Sequence, residues 1–225
     1  MNSLFEHLSS HDLTWAINVG GPSLDAVDML AAAGAKCLFI DCERTAIGIE
    51  SIGPIVRSAK SYGMFTMLRS ESKQPEILIR YLDRGIDGIV VPHTDTVEEL
   101  EQIAQILDYV SKGQPEKLMS IAQIESQTAV DNIVAMSASK AVDSFLIGPN
   151  DLSHSMGFKG SLEAVPLWQA IDGVIQELQK NQRLWGIPGL PSSQDKLTTQ
   201  GAQFLYCTLG QIIQAGFKTF KTSTS

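Results

Sequence analysis

Eight short apolar runs, each followed by a segment with the apolar spacing of a helix, constrain this chain more than any other feature. The runs are TWAINVG (14–20), AKCLFIDCE (35–43), FTMLRS (65–70), GIVVPH (88–93), LMSIAQIES (118–126), SFLIGPND (144–151), LWGIPG (184–189) and AQFLYCTL (202–209). Their near-continuous apolarity suits strands covered on both faces, as in a parallel sheet with helices packed outside it. The intervening segments carry helical spacing, as in Val97, Leu100, Ile103, Leu107 and Val110, or Leu167, Ile171, Val174 and Leu178. Four of them stop at Gly34, Gly63, Gly85 or Gly201 just before the next run, where glycine is the expected helix terminator. Eight strand–helix units without a break in composition predict an α/β fold, a (β/α)₈ TIM barrel forming one domain over residues 1–225. The alternative is a doubly wound open sheet. The first run lacks a GxGxxG turn, however, and no GxxxxGK[ST] occurs.

The formal charge of −8, with no clustered excess of Lys and Arg, argues against a nucleic-acid partner. No apolar run is long enough to span a bilayer, and the N-terminus has no basic region followed by an apolar core. A cytoplasmic protein without a membrane partner is expected. Cys37, Cys42 and Cys207 are widely separated and sit in or beside apolar runs, which predicts buried free thiols rather than a disulfide framework or a CxxC metal site.

Barrel enzymes build their sites from residues at the C-terminal ends of strands. The polar residues that end these runs are Asp41, Glu43, Arg44, Arg69, His93, Gln123, Glu125 and Asp151. Glu125 ends the fifth run and Asp151 the sixth, and neighbouring parallel strands lie about 4.8 Å apart. Both carboxylates can therefore converge on one cation, as in a magnesium or manganese site. The plain reading makes Asp151 a helix N-cap and Glu125 a solvated loop residue, and spacing alone leaves both open. Arg69 is placed to hold a substrate carboxylate through parallel hydrogen bonds, or to make a structural ion pair. In GPND, Gly148 allows close backbone approach and Pro149 stiffens the turn that aims Asp151. His93 and His154 also fall beside strand ends, where a lone histidine is more often structural than catalytic. His7 and His11 precede the barrel and carry no spacing signal.

The set FIDCER, MLRS, VVPH, AQIES and FLIGPNDLSHSMGFKG, in this order on these strands, resembles the HpcH/HpaI aldolase family over about residues 14–210. IGPNDLS…MG preceded by QIE is the most specific part. The resemblance implies a divalent-metal-dependent class II aldolase-type lyase of a pyruvate-like 2-oxo acid. It further implies that Glu125 and Asp151 bind Mg²⁺ or Mn²⁺, with Co²⁺ a further option, and that Gln123 lies beside the metal or substrate. Arg69 would contact the 2-oxo acid and stabilise its enolate oxygen, while Gly148, Pro149 and Asn150 would line the substrate carboxylate. Relatives assemble as homo-oligomers, trimers or hexamers.

Three departures accompany the likeness. The family motif reads like D-G-E-H on the second strand, its histidine paired to the aspartate as general base. Here DCER keeps Asp41 and Glu43 but puts Arg44 in the histidine position, and arginine does not give up its proton. A long Gly- and Arg-rich segment after the fourth helix is replaced by the short ILDYVSKGQPEKL, and the C-terminus is short. The leading reading is a carbon–carbon lyase with altered proton handling, acting on an oxaloacetate-like, 2-oxo-acid or acyl-CoA substrate. Asp41, Arg44 and Arg69 form its catalytic set, and Arg44 is suited to a more anionic substrate. A standard aldolase with His93, His154 or water on the metal as replacement base is the second reading. A non-catalytic or regulatory 2-oxo-acid binder is the third.

Overall fold

A computed structural model describes residues 3–10, 13–112 and 118–222. Eight parallel strands close into a barrel in sequence order: β1 (Thr14–Asn18), β2 (Cys37–Asp41), β3 (Phe65–Arg69), β4 (Gly88–Val91), β5 (Met119–Ile124), β6 (Ser144–Ile147), β7 (Leu184–Pro188) and β8 (Phe204–Thr208). β8 pairs back onto β1 from Thr14↔Phe204 to Asn18↔Thr208. The open-sheet alternative is thereby excluded. The helices are α1 (Leu4–Ser9), α2 (Leu24–Ala32), α3 (Ile49–Ser61), α4 (Pro75–Leu82), α5 (Val97–Ser111), α6 (Gln127–Asp131), α7 (Ile133–Ala138), α8 (Pro149–Ser155), α9 (Val165–Lys180), α10 (Gln194–Thr199) and α11 (Leu209–Thr222). None of them is long and apolar enough to cross a membrane. Residues 113–117, within the shortened connection, and His11 lie outside the described residues.

The helix-stop glycines all take the left-handed conformation, with φ from 71° at Gly63 to 88° at Gly34. On α5 and α9 the apolar positions turn inward, with Leu100, Ile103, Leu107, Leu167, Ile171, Val174 and Leu178 all buried. The three cysteines are free and buried, as expected.

Strand periodicity sets what reaches the barrel interior. Ala16, Cys37, Phe39, Met67, Ile121 and Phe204 form an inner cluster, while the intervening residues face the helices. The N-terminal end of the barrel is closed by α1. Its Leu4 and Leu8 are buried in the inner cluster, and His7 Nε2 lies 2.9 Å from the Thr14 hydroxyl. Burying two leucines there contributes roughly 1.5–3 kcal/mol each. The opposite end is left for polar side chains, because the same inward register continues into Asn18, Asp41, Arg69 and Gln123.

Two boundaries differ from expectation. The sixth strand stops at Ile147, and Pro149 opens α8 as its first residue, a position where its missing N–H costs nothing. Asp151 is therefore the third residue of a helix, neither a strand end nor the N-cap, which is Gly148. Glu125 follows directly after β5, and Ser126 caps the next helix.

Candidate active site

Asp41 and Arg69 are register partners on β2 and β3, so the closed barrel alone brings them side by side. Arg69 donates to the buried Asp41 through Nε (3.0 Å to Oδ1) and Nη2 (2.7 Å to Oδ2). Asp41 also accepts from Asn18 Nδ2 at 3.3 Å and from the backbone N–H groups of Glu43 and Arg44 at 3.2 Å each. A carboxylate with this many donors is held in one orientation and fixes the guanidinium plane in turn. Burial works against the Arg69 charge, but the hydrogen bond and charge of Asp41 outweigh it and leave the guanidinium above its ordinary range.

Glu125 is 2% exposed. Its Oε1 accepts the His93 backbone N–H at 2.7 Å and lies 3.1 Å from His93 Nδ1, while Oε2 accepts from Gln123 Nε2. Burial pushes this carboxyl up to about 7, with the nearby Glu43 and Asp151 adding to the rise and His93 opposing it. Gly148 lies against the same group. A Cβ there would stand 3.0 Å from Gln123 Nε2 and from Glu125 Cβ. Close approach at this position is thus a real requirement of the packing.

Arg44 crosses the mouth of the barrel to Asp151, with Nη2 at 2.7 and 2.8 Å from its two oxygens. This contact raises the Arg44 guanidinium further above its ordinary range. Arg44 is half-exposed and keeps its proton, so it occupies the side of Asp151 that a cation would use.

The structure brings Asp41, Arg44, Arg69, Gln123, Gly148, Pro149, Asn150 and Asp151 to the wall of one cavity of 490 Å³ at the C-terminal mouth. Glu125 sits beside this wall, joined to it through Gln123. Three other named residues are not brought there. Glu43 pairs with Arg69 Nη1 at 3.0 Å, His93 flanks Glu125 without lining the cavity, and His154 is exposed on α8, packed toward Gly160. Sequence reasoning missed Asn18 and Tyr206, whose hydroxyl accepts from Asn18 Nδ2 at 2.9 Å. Both line the cavity. The signal was available in the period of two: Asn18 follows Ala16, and Tyr206 follows Phe204, on the inner face. Burial raises the Tyr206 hydroxyl above its ordinary range, with the Asn18 hydrogen bond pulling the other way.

The donor set fits a divalent cation in its chemistry. Oxygen ligands dominate, Glu125 is buried among other carboxylates, and the buried Gln123 Oε1 has no hydrogen-bond partner among the described residues. Asp151 fits only when Arg44 lets go of it.

The HpcH/HpaI aldolase/citrate lyase family model matches residues 19–192. A 5-keto-4-deoxy-D-glucarate aldolase from Klebsiella pneumoniae subsp. pneumoniae is 27% identical, with 72% of each chain covered. Among solved structures, the citrate synthase SbnG superposes with a TM-score of 0.88 at 23% identity, covering 99% of this chain and 97% of that one. An HpcH/HpaI aldolase from Desulfitobacterium hafniense DCB-2 gives 0.86 at 21% identity, covering 100% and 97%. At these identities the superpositions establish the shared barrel.

Proposed function

The chain belongs to the HpcH/HpaI aldolase/citrate lyase family and is a carbon–carbon lyase; from that premise we propose that it makes or breaks the bond beside the 2-oxo group of a pyruvate- or oxaloacetate-like acid. The observation that carries this reading is the convergence of Asp41, Arg69, Gln123, Gly148, Asn150 and Asp151 on one cavity. The Klebsiella relative, by its name an aldolase of a keto-deoxy sugar acid, supports an acidic small-molecule substrate.

Each residue has a task that follows from its contacts. Arg69 gives two of its five N–H groups to Asp41 and keeps others on its Nη atoms for an anionic oxygen in the cavity. Negative charge grows on the keto oxygen as the adjacent bond breaks, and a fixed donor aimed there typically lowers the barrier by about 3 kcal/mol. Asp41 holds that donor in place without touching the substrate. Gly148, Pro149 and Asn150 wall the end that takes the substrate carboxylate. Glu125 and Asp151 would hold a divalent ion, Mg²⁺, Mn²⁺ or Co²⁺, which when bound supplies Lewis acidity toward the carboxylate and keto oxygens of the acid.

Proton handling separates this chain from a base-dependent aldolase. Among the described residues no histidine lines the cavity, and Arg44 is held in its charged form by Asp151. Loss of CO₂ from an oxaloacetate-like diacid leaves the bonding electrons on the substrate and needs no base to begin, so this class is favoured. The ion pair between Arg44 and Asp151 also supports a second reading, a 2-oxo-acid-binding relative without turnover.

Incubation of metal-loaded protein with oxaloacetate, and separately with pyruvate plus short aldehydes, followed by NMR, separates these readings. Turnover of oxaloacetate supports the first, aldol product the base-dependent aldolase, and saturable binding without product the non-catalytic relative. We also propose a cytoplasmic protein and, as the family resemblance implies, a homo-oligomer, a trimer or hexamer, whose contacts would cover the Ile213 and Phe220 side chains that α11 leaves 57% and 78% exposed. Light-scattering mass reads this assembly directly, and a monomeric mass would contradict it.

A further inference from the structure

We propose that the Tyr206 hydroxyl is the acid that returns a proton to the methylene carbon of the enolate once the carbon–carbon bond has broken. The inference rests on the reading of the chain as a lyase of a pyruvate- or oxaloacetate-like acid, and it supplies the proton-moving group which that reading leaves unassigned.

Asn18 fixes what Tyr206 can do. Its Oδ1 accepts the Gly20 backbone N–H at 2.7 Å, so the amide faces one way only, with its NH₂ toward Tyr206 and Asp41. Nδ2 donates to the Tyr206 oxygen at 2.9 Å and to Asp41 Oδ2 at 3.3 Å. The tyrosine oxygen is therefore an acceptor toward Asn18, and its own O–H has no acceptor among the described residues. Tyr206 lines the cavity, and its ring is braced edge-on against Phe39, with centroids 4.7 Å apart and planes at 71°. A positioned phenol thus keeps one unspent proton at the cavity wall.

The shape of the substrate brings its reacting carbon to this side. The substrate carboxylate is read against Gly148, Pro149 and Asn150 after β6, and the keto oxygen at Arg69 on β3. A keto carbon is planar, with its three substituents spread evenly around it. The third substituent, the methylene carbon, then points to the remaining arc of wall, where β8, β1 and β2 end. The other side chains on that arc have no proton to offer. Thr208 Oγ1 donates to Gln211 at 3.2 Å and the Thr45 hydroxyl to the Asp41 carbonyl. Asn18 gives its N–H groups to Tyr206 and Asp41, and Asp41 only accepts.

The transfer balances. Loss of CO₂ leaves the bonding pair on the substrate as an enolate, shared between the methylene carbon and the keto oxygen. The carbon takes the Tyr206 proton and forms a C–H bond, the O–H pair stays on the phenolic oxygen, and the product is the 2-oxo acid. The tyrosinate left behind keeps the Asn18 N–H as a donor and is favoured by the Arg69 charge. Water entering the open mouth restores its proton. Before the step, burial keeps the hydroxyl protonated, with the Asn18 hydrogen bond opposing and the Asp41 charge assisting. An acid for this task must hold its proton at neutral pH and yield it to a strongly basic carbon, which a phenol does and the Arg44 guanidinium does not.

Two measurements on metal-loaded wild type and Tyr206→Phe test the assignment: single-turnover CO₂ release from oxaloacetate, and the NMR-followed decay of enolpyruvate generated in place from phosphoenolpyruvate by a phosphatase, against a control without this protein. Phenylalanine keeps the ring against Phe39 and removes only the hydroxyl. Wild type is expected to speed ketonisation of the enol at least about a hundredfold over the control, and Tyr206→Phe to lose most of that acceleration. CO₂ release in the variant should stay near the wild-type rate, with enolpyruvate appearing as a released intermediate. Equal losses in both steps, which a purely structural role would give, overturn the proposal. Undiminished ketonisation in Tyr206→Phe, or wild-type CO₂ release with no effect on the enol, also overturns it and leaves the lyase reading standing. Neither CO₂ release nor ketonisation in wild type overturns both. Ketonisation that depends on Tyr206 without any wild-type CO₂ release supports the tyrosine and overturns only the oxaloacetate class.

Discussion

Arg44 Nη2 lies 2.7 and 2.8 Å from the two carboxylate oxygens of Asp151, joining the end of β2 to the first turn of α8 across the barrel mouth. The pair places a fixed positive charge where a cation would approach Asp151. Arg44→Gln removes that charge and frees the carboxylate. Mn²⁺ affinity, read by calorimetry, is expected to rise severalfold. The half-exposed pair contributes under about 1 kcal/mol to stability, so the urea midpoint should barely move. An unchanged or weaker affinity would show that Arg44 does not compete for the site.

Gly148 has no room for a side chain. A methyl group there meets Gln123 Nε2 and Glu125 Cβ at 3.0 Å, so one of these must shift. Gly148→Ala is expected to lose about 1–3 kcal/mol by overpacking and to bind Mn²⁺ more weakly, because the Glu125 carboxylate is displaced. A variant with wild-type stability and wild-type Mn²⁺ affinity would show that the close approach is dispensable.

The buried Glu125 carboxyl predicts a pH dependence with a definite sign. Its folded-state value of about 7 lies above the ordinary value of 4.5, so between these pH values the folded protein binds more protons than the unfolded chain. Stability of the metal-free protein from this group therefore falls as pH rises through that window, and the full cost is present above pH 7. Urea midpoints at pH 5 and pH 8 should differ less favourably toward pH 5 in Glu125→Gln than in wild type. Identical pH profiles for the two proteins would contradict the burial argument.

The barrel was legible because its determinants are local and periodic: apolar runs, helical spacing and a glycine at four of the helix stops. The Asp41–Arg69 pair was half legible. Both residues stood at run ends, but only the β2–β3 register makes them partners. Asp151 was harder, because GPND reads as the tail of an apolar run, whereas Pro149 starts a helix there and swings Asp151 toward Arg44, 107 residues away in sequence. His93 and His154 looked alike beside their strands. A left-handed backbone turns the first toward Glu125, and the position of the second on α8 turns it away from the cavity. Asn18 and Tyr206 were hidden within runs that read as plain strand, although their inward period marks them.

The most direct measurement is the NMR-followed loss of oxaloacetate with metal-loaded wild type, set against the same metal without protein. The account predicts loss to pyruvate well above the metal-only control, falling by about 10²–10³ in Arg69→Lys, since lysine cannot reproduce the fork held by Asp41. A wild-type rate equal to the metal-only control, or an Arg69→Lys rate equal to wild type, would contradict it.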